Sequence, residues 1–549
     1  MLTADQIEAL GDKVVQIISP VTDFLIEDIA RRISEAGQIT STAVYQTWRL
    51  QQLGVSQRQL KKELKKRLKV SNRELRKLIE QSAEAGYEFD IRKLPYVQAV
   101  PFARNSSIQQ IVSAAIQLAQ DDLSNITQTM GFVCPNGKAV GLTDAYKQAC
   151  DFAFTKVSTG AQDYNSAIRE ATKNLADKGI VTIDYDSGVH TSMEAAVRRN
   201  IMGGLGLMQE QISKQNHDDF GCDGWEISAH AASAPDHEPI QGKQYSDAEY
   251  EKLNNSLVRR IGTLNCGHSA FPIIMGVDSP QYTKEELEKF RKDNEKGVDY
   301  EGRHFTMYQA TQHQRKLERA IRKQKRRILV DESTGYKEKL QQDQIKYQVL
   351  NQEYKRFSKA AGLRLQHERM EMAGFGPKQA RAADKAADAS HMNWLKSIGA
   401  EDTELKTLAQ FEDARYNNTD EYRLLTGYGR AVQNGDISPL VGFGLYKSTG
   451  NDINTAIVGQ TTSTGVEIKS FATHFIDRVI GQTSDAHAGM RQGVQISDAL
   501  DALKNPAVLG EIRNLADGDV RQTFYGKNAA VTISVRDCKI IQANPRKGK

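Results

Sequence analysis

A chain of 549 residues is too long for one ordinary hydrophobic core, which sets an expectation of roughly two to four domains. Its 39% hydrophobic and 26% charged residues are ordinary for a water-soluble globular protein, and a net charge of +4 is too mild to demand nucleic acid by itself. The five cysteines are few, odd in number and scattered; they exclude a disulfide framework and point to a reducing compartment such as a bacterial cytoplasm. The N-terminus lacks the basic start and apolar run of a signal peptide, and no apolar stretch is long enough to span a bilayer, so no membrane partner is expected.

Residues 1–90 predict helices. Ile7, Leu10, Val14, Val15, Ile18, Phe24, Leu25 and Ile29 recur near a 3.6-residue period. Leu60, Leu64 and Leu68 then form an apolar stripe surrounded by Lys61, Lys62, Lys65, Lys66, Arg67 and Lys69. Ser71 with Glu74 reads as a capping box that starts a new helix. Such a basic helix is either a solvated face over a buried leucine stripe or a contact for packaged DNA or an acidic protein ring. Residues 105–215 continue helical, with a turn-rich break at 133–141. Gly203, Gly204 and Gly206 read as a small-residue packing site rather than a phosphate loop, because no strand precedes them and no Gly-Lys-Ser/Thr follows.

From 225 to 282 the helical periodicity fails, and His, Pro, Gly, Cys and aromatic residues take over. His230, His237, Cys266 and His268 are four candidate zinc ligands, since structural zinc takes four Cys and His ligands tetrahedrally. Two other readings stay open: a hydrogen-bonded polar core without metal, and a Cys/His catalytic pair. Residues 283–373 predict a charged helical arm, with eight Lys/Arg between Arg315 and Arg327, expected to be largely exposed. The Ala-rich stretch 374–390 reads as a linker, and 391–450 as a short helical bridge, so that 374–450 joins the body 1–282 and its arm to a separate unit 451–549.

That last unit predicts an α+β fold: helices near 468–482 and 496–504, then strands near 519–525, 529–535 and 539–543. Its 13 Lys/Arg against 10 Asp/Glu over 441–549 permit RNA binding. His474 and Arg478 fall four apart on one helix face. Arg521 and Tyr525 share one strand face with Thr523, while Thr532 and Ser534 lie opposite Val531 and Ile533. This set suits phosphodiester cleavage. His474 would act as general acid or base, Arg478 and Arg521 would hold phosphate, and Tyr525, Thr532 and Ser534 would donate to its oxygens. No carboxylate cluster for a two-metal nuclease accompanies them, so catalysis would need no cofactor and would use the RNA 2′-hydroxyl. Bland readings stand beside these: an Arg478–Asp477 ion pair, solvent-facing strand threonines, a helix-capping histidine.

Two family resemblances rest on these residues. Ser228, His230, His237, Gln241, Gly242, Lys243, Tyr245, Asn265, Cys266, His268, Ser269 and Pro272 resemble the motif of the phage minor capsid protein family, related to head-morphogenesis proteins at the portal vertex. The basic residue usual between the two histidines is absent, with Ala234 near that place. The resemblance covers roughly 1–370 and implies portal and capsid proteins as partners, basic helices near packaged DNA, and a place in the virion. The pieces His474–Arg478, Arg491–Ile496, Asp501–Pro506 and Tyr525–Ile533 are similar to the barnase–EndoU–colicin–RelE superfamily of small RNases. This implies RNA as substrate, the roles given above, and Arg491 and Lys527 as nucleic-acid-binding residues.

The expectation is therefore a multidomain, predominantly α-helical body with an irregular His/Cys segment and a small C-terminal α+β domain of helices on an antiparallel sheet. Its function would be that of a tailed-phage minor capsid protein in head assembly, with a C-terminal domain that cleaves RNA. The alternatives are a polymorphic-toxin RNase with a long delivery region, and a purely structural capsid protein with an inactive C-terminal binding domain.

Overall fold

The computed structural model describes residues 4–94, 96–184, 189–262, 266–481 and 492–546. Asn265, Arg491 and the side chains of Leu60 and Lys61 lie outside the described residues. The chain divides into two compact units, the first to Arg381 and the second from Ala382.

The first unit is built on α1 (Ala4–Gln38), whose Val14, Ile18, Val21, Leu25, Ile29 and Ile33 are all buried. Their three- and four-residue spacing keeps them on one face, and each buried side chain stabilises the core by roughly 1.5–3 kcal/mol. Against α1 lie α2 (Thr42–Lys93), α4 (Leu142–Ser158), α5 (Tyr164–Lys178) and α6 (Met193–Phe220); α3 (Ser106–Gln128) packs on α2 and α6. Helix α2 runs through Ser71 without the expected break. Ser71 is buried there, its hydroxyl 2.9 Å from the Ile17 carbonyl of α1, so the Ser71–Glu74 pattern is a helix-packing contact and not a cap. Helix α6 likewise continues through Gly203–Gly206, and a Cβ at Gly203 or Gly204 would meet nothing within 4 Å. Close packing among the described residues therefore does not demand these two glycines.

Short strands escaped the periodicity. β1 (Met130–Val133), β2 (Ala139–Gly141), β3 (Val181–Ile183) and β4 (His190–Ser192) form an antiparallel sheet in the order β2-β1-β3-β4. The segment 225–282 is not wholly irregular either. β5 (Gly224–Ile227) is the centre of a three-stranded antiparallel sheet, flanked by β6 (Gln244–Ser246) and β7 (Ala270–Ile273), with α7 (Asp247–Ser256) after β6. Then come α8 (Lys284–Lys296), the β8 (Val298–Tyr300)–β9 (Arg303–Phe305) ribbon, α9 (Met307–Thr334) and α10 (Lys337–Ala360). Gly335, at φ +73°, ends α9 in a left-handed C-cap that glycine adopts without a Cβ penalty.

The eight-cation helix α9 is not an exposed arm. Leu317, Ile321, Ile328, Leu329 and Val330 are buried, and the helix packs on α1, α5 and α10. Its cations turn inward to acids: Arg322 pairs with Glu194, and Arg327 with Asp177. Lys325 donates to the Met370 carbonyl at 2.5 Å, and burial beside Arg322 pushes its ammonium pKa down to about 8.

The second unit begins within α11 (Pro377–Ile398), so the expected linker is a helix. α12 (Leu408–Tyr416), α13 (Asp420–Gln433) and α14 (Phe443–Ile457) follow. Leu395, Tyr428, Phe443, Tyr446 and Ile453 share one core with Phe475, Ile476, Val531 and Ile533. The expected bridge 391–450 is thus part of the same folded unit as 451–549. That unit continues through β10 (Ser470–Phe471), α15 (Thr473–Ile480), α16 (Ile496–Lys504), β11 (Val508–Leu509), β12 (Arg513–Asn514), β13 (Val520–Tyr525), β14 (Ala529–Ser534) and β15 (Lys539–Pro545). The sheet runs β10-β15-β14-β13-β11, with β12 also on β13; only the β10–β15 pair is parallel.

Candidate functional site

The His/Cys residues come together at one end of the β6-β5-β7 sheet. β5 leaves the sheet at Ser228 where β7 enters it from Ser269, and the two serines clasp: Ser228 N donates to Ser269 O at 2.8 Å and Ser269 N to Ser228 Oγ at 2.9 Å. Gly242 closes the intervening loop by donating to Ile227 O, and its φ of +67° is the left-handed conformation that favours glycine; a Cβ there would also displace the Leu287 side-chain end, 2.5 Å away.

Within this frame His237, Cys266 and His268 are all buried and converge. Cys266 Sγ lies 3.3 Å from His237 Nδ1 and 3.6 Å from His268 Nδ1. The outer nitrogens are held by oxygens: His237 Nε2 lies 2.9 Å from Arg259 O, and His268 Nε2 lies 3.0 Å from Gln241 Oε1. The Arg259 side chain also grips Asp236 at 2.6 Å, which holds that carboxyl below its usual range. Burial, reinforced by His230 and His237, pushes the His268 pKa down to about 2 and keeps the ring neutral; burial also raises the Cys266 thiol. His230 stands beside this set. Its Nδ1 donates to Ala231 O at 2.8 Å and its ring lies over His268, centroids 4.3 Å apart. Cys266 and His268 also line a cavity of about 480 Å³, together with Trp225, Tyr250, Asp90 and Arg260. Trp225 is stacked between His217 and Tyr250 on its wall.

In the second unit, His474 and Arg478 share a face of α15 and touch: Arg478 Nε donates to His474 Nε2 at 3.1 Å. His474 Nδ1 lies 3.1 Å from buried Asp477, whose other oxygen accepts from Tyr446 at 2.9 Å. The tautomer follows. Nε2 accepts, so Nδ1 carries the hydrogen and donates to Asp477. Asp477 thus orients the His474 ring. Arg478 also reaches Asn544 on β15 at 3.5 Å.

The strand register places Tyr525, Ala530 and Asn544 in one row across the sheet, Thr523, Thr532 and Gln542 in the next, and Arg521, Ser534 and Lys539 in a third. With strands about 4.8 Å apart, Arg478 at Asn544 and Tyr525 flank small Ala530 on the same face. Arg546 sits over the Tyr525 ring at 5.2 Å. Thr532 and Thr523 hydroxyls lie 3.0 Å apart, and Lys527 is exposed in the following turn.

The third row departs from the expectation. Ser534 is fully buried and donates to Asp519 at 2.5 Å, and Arg521 donates to the same carboxylate at 2.8 Å. Both are tied to Asp519, a residue the strand alternation gave no reason to select. Asp477 was visible three residues from His474; Tyr446, Asn544 and Arg546 carried no local signal.

The family model described as phage minor capsid protein 2 matches residues 2–359. The match takes in the helical body and the His/Cys site, ends with α10 and leaves the second unit outside it. No curated protein and no solved structure matches the chain.

Proposed function

The chain belongs to the phage minor capsid protein 2 family and so has a structural role in the phage head; we propose that it acts during head assembly at the portal or the inner capsid surface. The observation that carries this is the family match over residues 2–359, which takes in the first unit as far as α10. The exposed cations Lys62, Lys65, Lys66 and Lys69 on α2 support a position against packaged DNA, where contacts are sequence-independent and salt-sensitive. The test is quantitative mass spectrometry of purified heads with chemical cross-linking. The expected result is the full chain in both DNA-free and filled heads, cross-linked to portal subunits. A chain recovered only outside the particles, or cross-linked only to outer-surface proteins, overturns the proposal.

A second reading concerns the second unit: a metal-independent ribonuclease centred on His474 and Arg478. The observation that favours it is the Tyr446–Asp477–His474–Arg478 chain of hydrogen bonds at the edge of a polar sheet face. A buried carboxylate orienting a histidine beside an arginine is suited to moving a proton near phosphate. RNA cleavage by the full chain in EDTA, lost in His474→Ala with folding intact, supports it. Absence of cleavage by the folded wild type on several RNAs leaves the unit a binding or structural module.

A further inference from the structure

The arrangement of His237, Cys266 and His268 has one proton too few to be satisfied by itself. Arg259 O is an acceptor only, so His237 carries its hydrogen on Nε2, 2.9 Å away. Gln241 Oε1 receives the His230 backbone N–H at 3.1 Å, which fixes it as the amide oxygen. His268 Nε2, 3.0 Å from that oxygen, therefore also carries the hydrogen. Both Nδ1 atoms are left as bare lone pairs aimed at the sulfur. A thiol has a single hydrogen and can meet one of them.

The triangle has the dimensions of a cation site. The two Sγ–Nδ1 edges are 3.3 and 3.6 Å, and all three ligand atoms lie within 4.8 Å of one another. With Zn–S of about 2.3 Å and Zn–N of about 2.0 Å, neighbouring ligands of a tetrahedral zinc stand about 3.5 Å apart. The outer hydrogen bonds to Arg259 O and Gln241 Oε1 are the kind that orient ligating histidines and fix their tautomers.

We propose that His237 Nδ1, Cys266 Sγ and His268 Nδ1 bind one zinc ion, with a solvent oxygen from the adjoining cavity in the fourth position. Zinc replaces the Cys266 thiol proton, which leaves to solvent, and is met by one thiolate and two neutral imidazoles. The ion ties the loop after β5 to the segment entering β7, a cross-link available to a chain kept in a reducing compartment. His230, one of the four ligands suggested by residue type, packs against the site without belonging to the triangle.

The test uses the full-length protein. Expected are one equivalent of zinc per chain and an X-ray absorption fine structure with a single sulfur at about 2.3 Å. Cobalt-exchanged protein should show a thiolate-to-cobalt charge-transfer band. Cys266→Ser should lose that band and at least a tenfold share of the zinc, while Cys134→Ser keeps both. The proposal is overturned if the wild type takes up no zinc from a buffered excess, if the absorption fits contain no sulfur, or if Cys266→Ser retains its metal. Because the fine structure is read on the wild type, a variant that fails to fold does not remove the test.

Discussion

Arg327 Nε donates to Asp177 Oδ1 at 2.7 Å and so ties α9 to α5 across 150 residues of sequence. Each side chain is only 22% exposed, and Lys323 approaches the same carboxylate at 3.5 Å. Removing one partner of a mostly buried pair leaves the other poorly solvated. Arg327→Ala should therefore destabilise the first unit by about 1–3 kcal/mol, allowing for partial solvent screening. The double change Arg327→Leu with Asp177→Leu should cost less than the sum of the single changes in a denaturant double-mutant cycle. Strict additivity would show that the pair contributes no coupling.

Asp331 near the end of α9 gives a pH prediction. Burial, and then its neighbour Asp343, push its pKa up to about 8. A carboxyl raised above its unfolded value of about 3.9 stabilises fully below that value, and the contribution is lost as pH rises through the folded pKa. Burial raises Asp23 and Glu318 to about 7, with the same sign. Wild-type melting temperature should thus carry a component that falls between about pH 4 and pH 8. Asp331→Asn mimics the protonated form, so its advantage over wild type should grow as pH is raised toward 8 and then level off. Parallel curves for the two proteins across that window would refute the assignment.

Asp477 is expected to act as a positioning residue if the second unit cleaves RNA. In Asp477→Asn an amide N–H facing His474 reverses the ring tautomer, which then opposes the Arg478 Nε–H. Cleavage should fall by roughly 10²–10⁴-fold, the range of general acid–base contributions, with the melting temperature little changed. Nitrogen NMR of His474 should report the tautomer change directly. An unchanged tautomer, or unchanged cleavage with a changed one, would detach Asp477 from the chemistry.

The exposed cations of α2 yield a salt prediction. Lys65→Gln, Lys66→Gln and Lys69→Gln together should weaken DNA binding equally across sequences. They should also reduce the slope of log K against log salt by about 2–3, near 0.9 for each phosphate no longer neutralised. Filter binding of the full chain over a salt series measures it; an unaltered slope would place the DNA elsewhere.

Local periodicity by itself determined much of this protein. The three- and four-residue spacing of Val14 through Ile33 dictated the buried face of α1, and alternation in Ala529–Ser534 dictated a strand with Val531 and Ile533 inward. Residue types alone also singled out His230, His237, Cys266 and His268, because few other side chains offer such ligand atoms; the structure brings the last three together. The spacing rules fail where a contact is between distant segments. The cations of α9 looked solvent-facing because their acids, Asp177 and Glu194, lie more than a hundred residues away. Segment 391–450 looked like a bridge because Tyr428, Phe443 and Tyr446 are buried in a core completed by later elements, α15 and α16 among them. β1 and β3 are only four and three residues long, too short to show a period. Which histidine nitrogens face the sulfur, and that Asp519 takes both Arg521 and Ser534, were decided by tertiary structure alone. Hydrogen bonds depend on distances of a few tenths of an ångström between elements whose relative placement is set by packing of the whole unit.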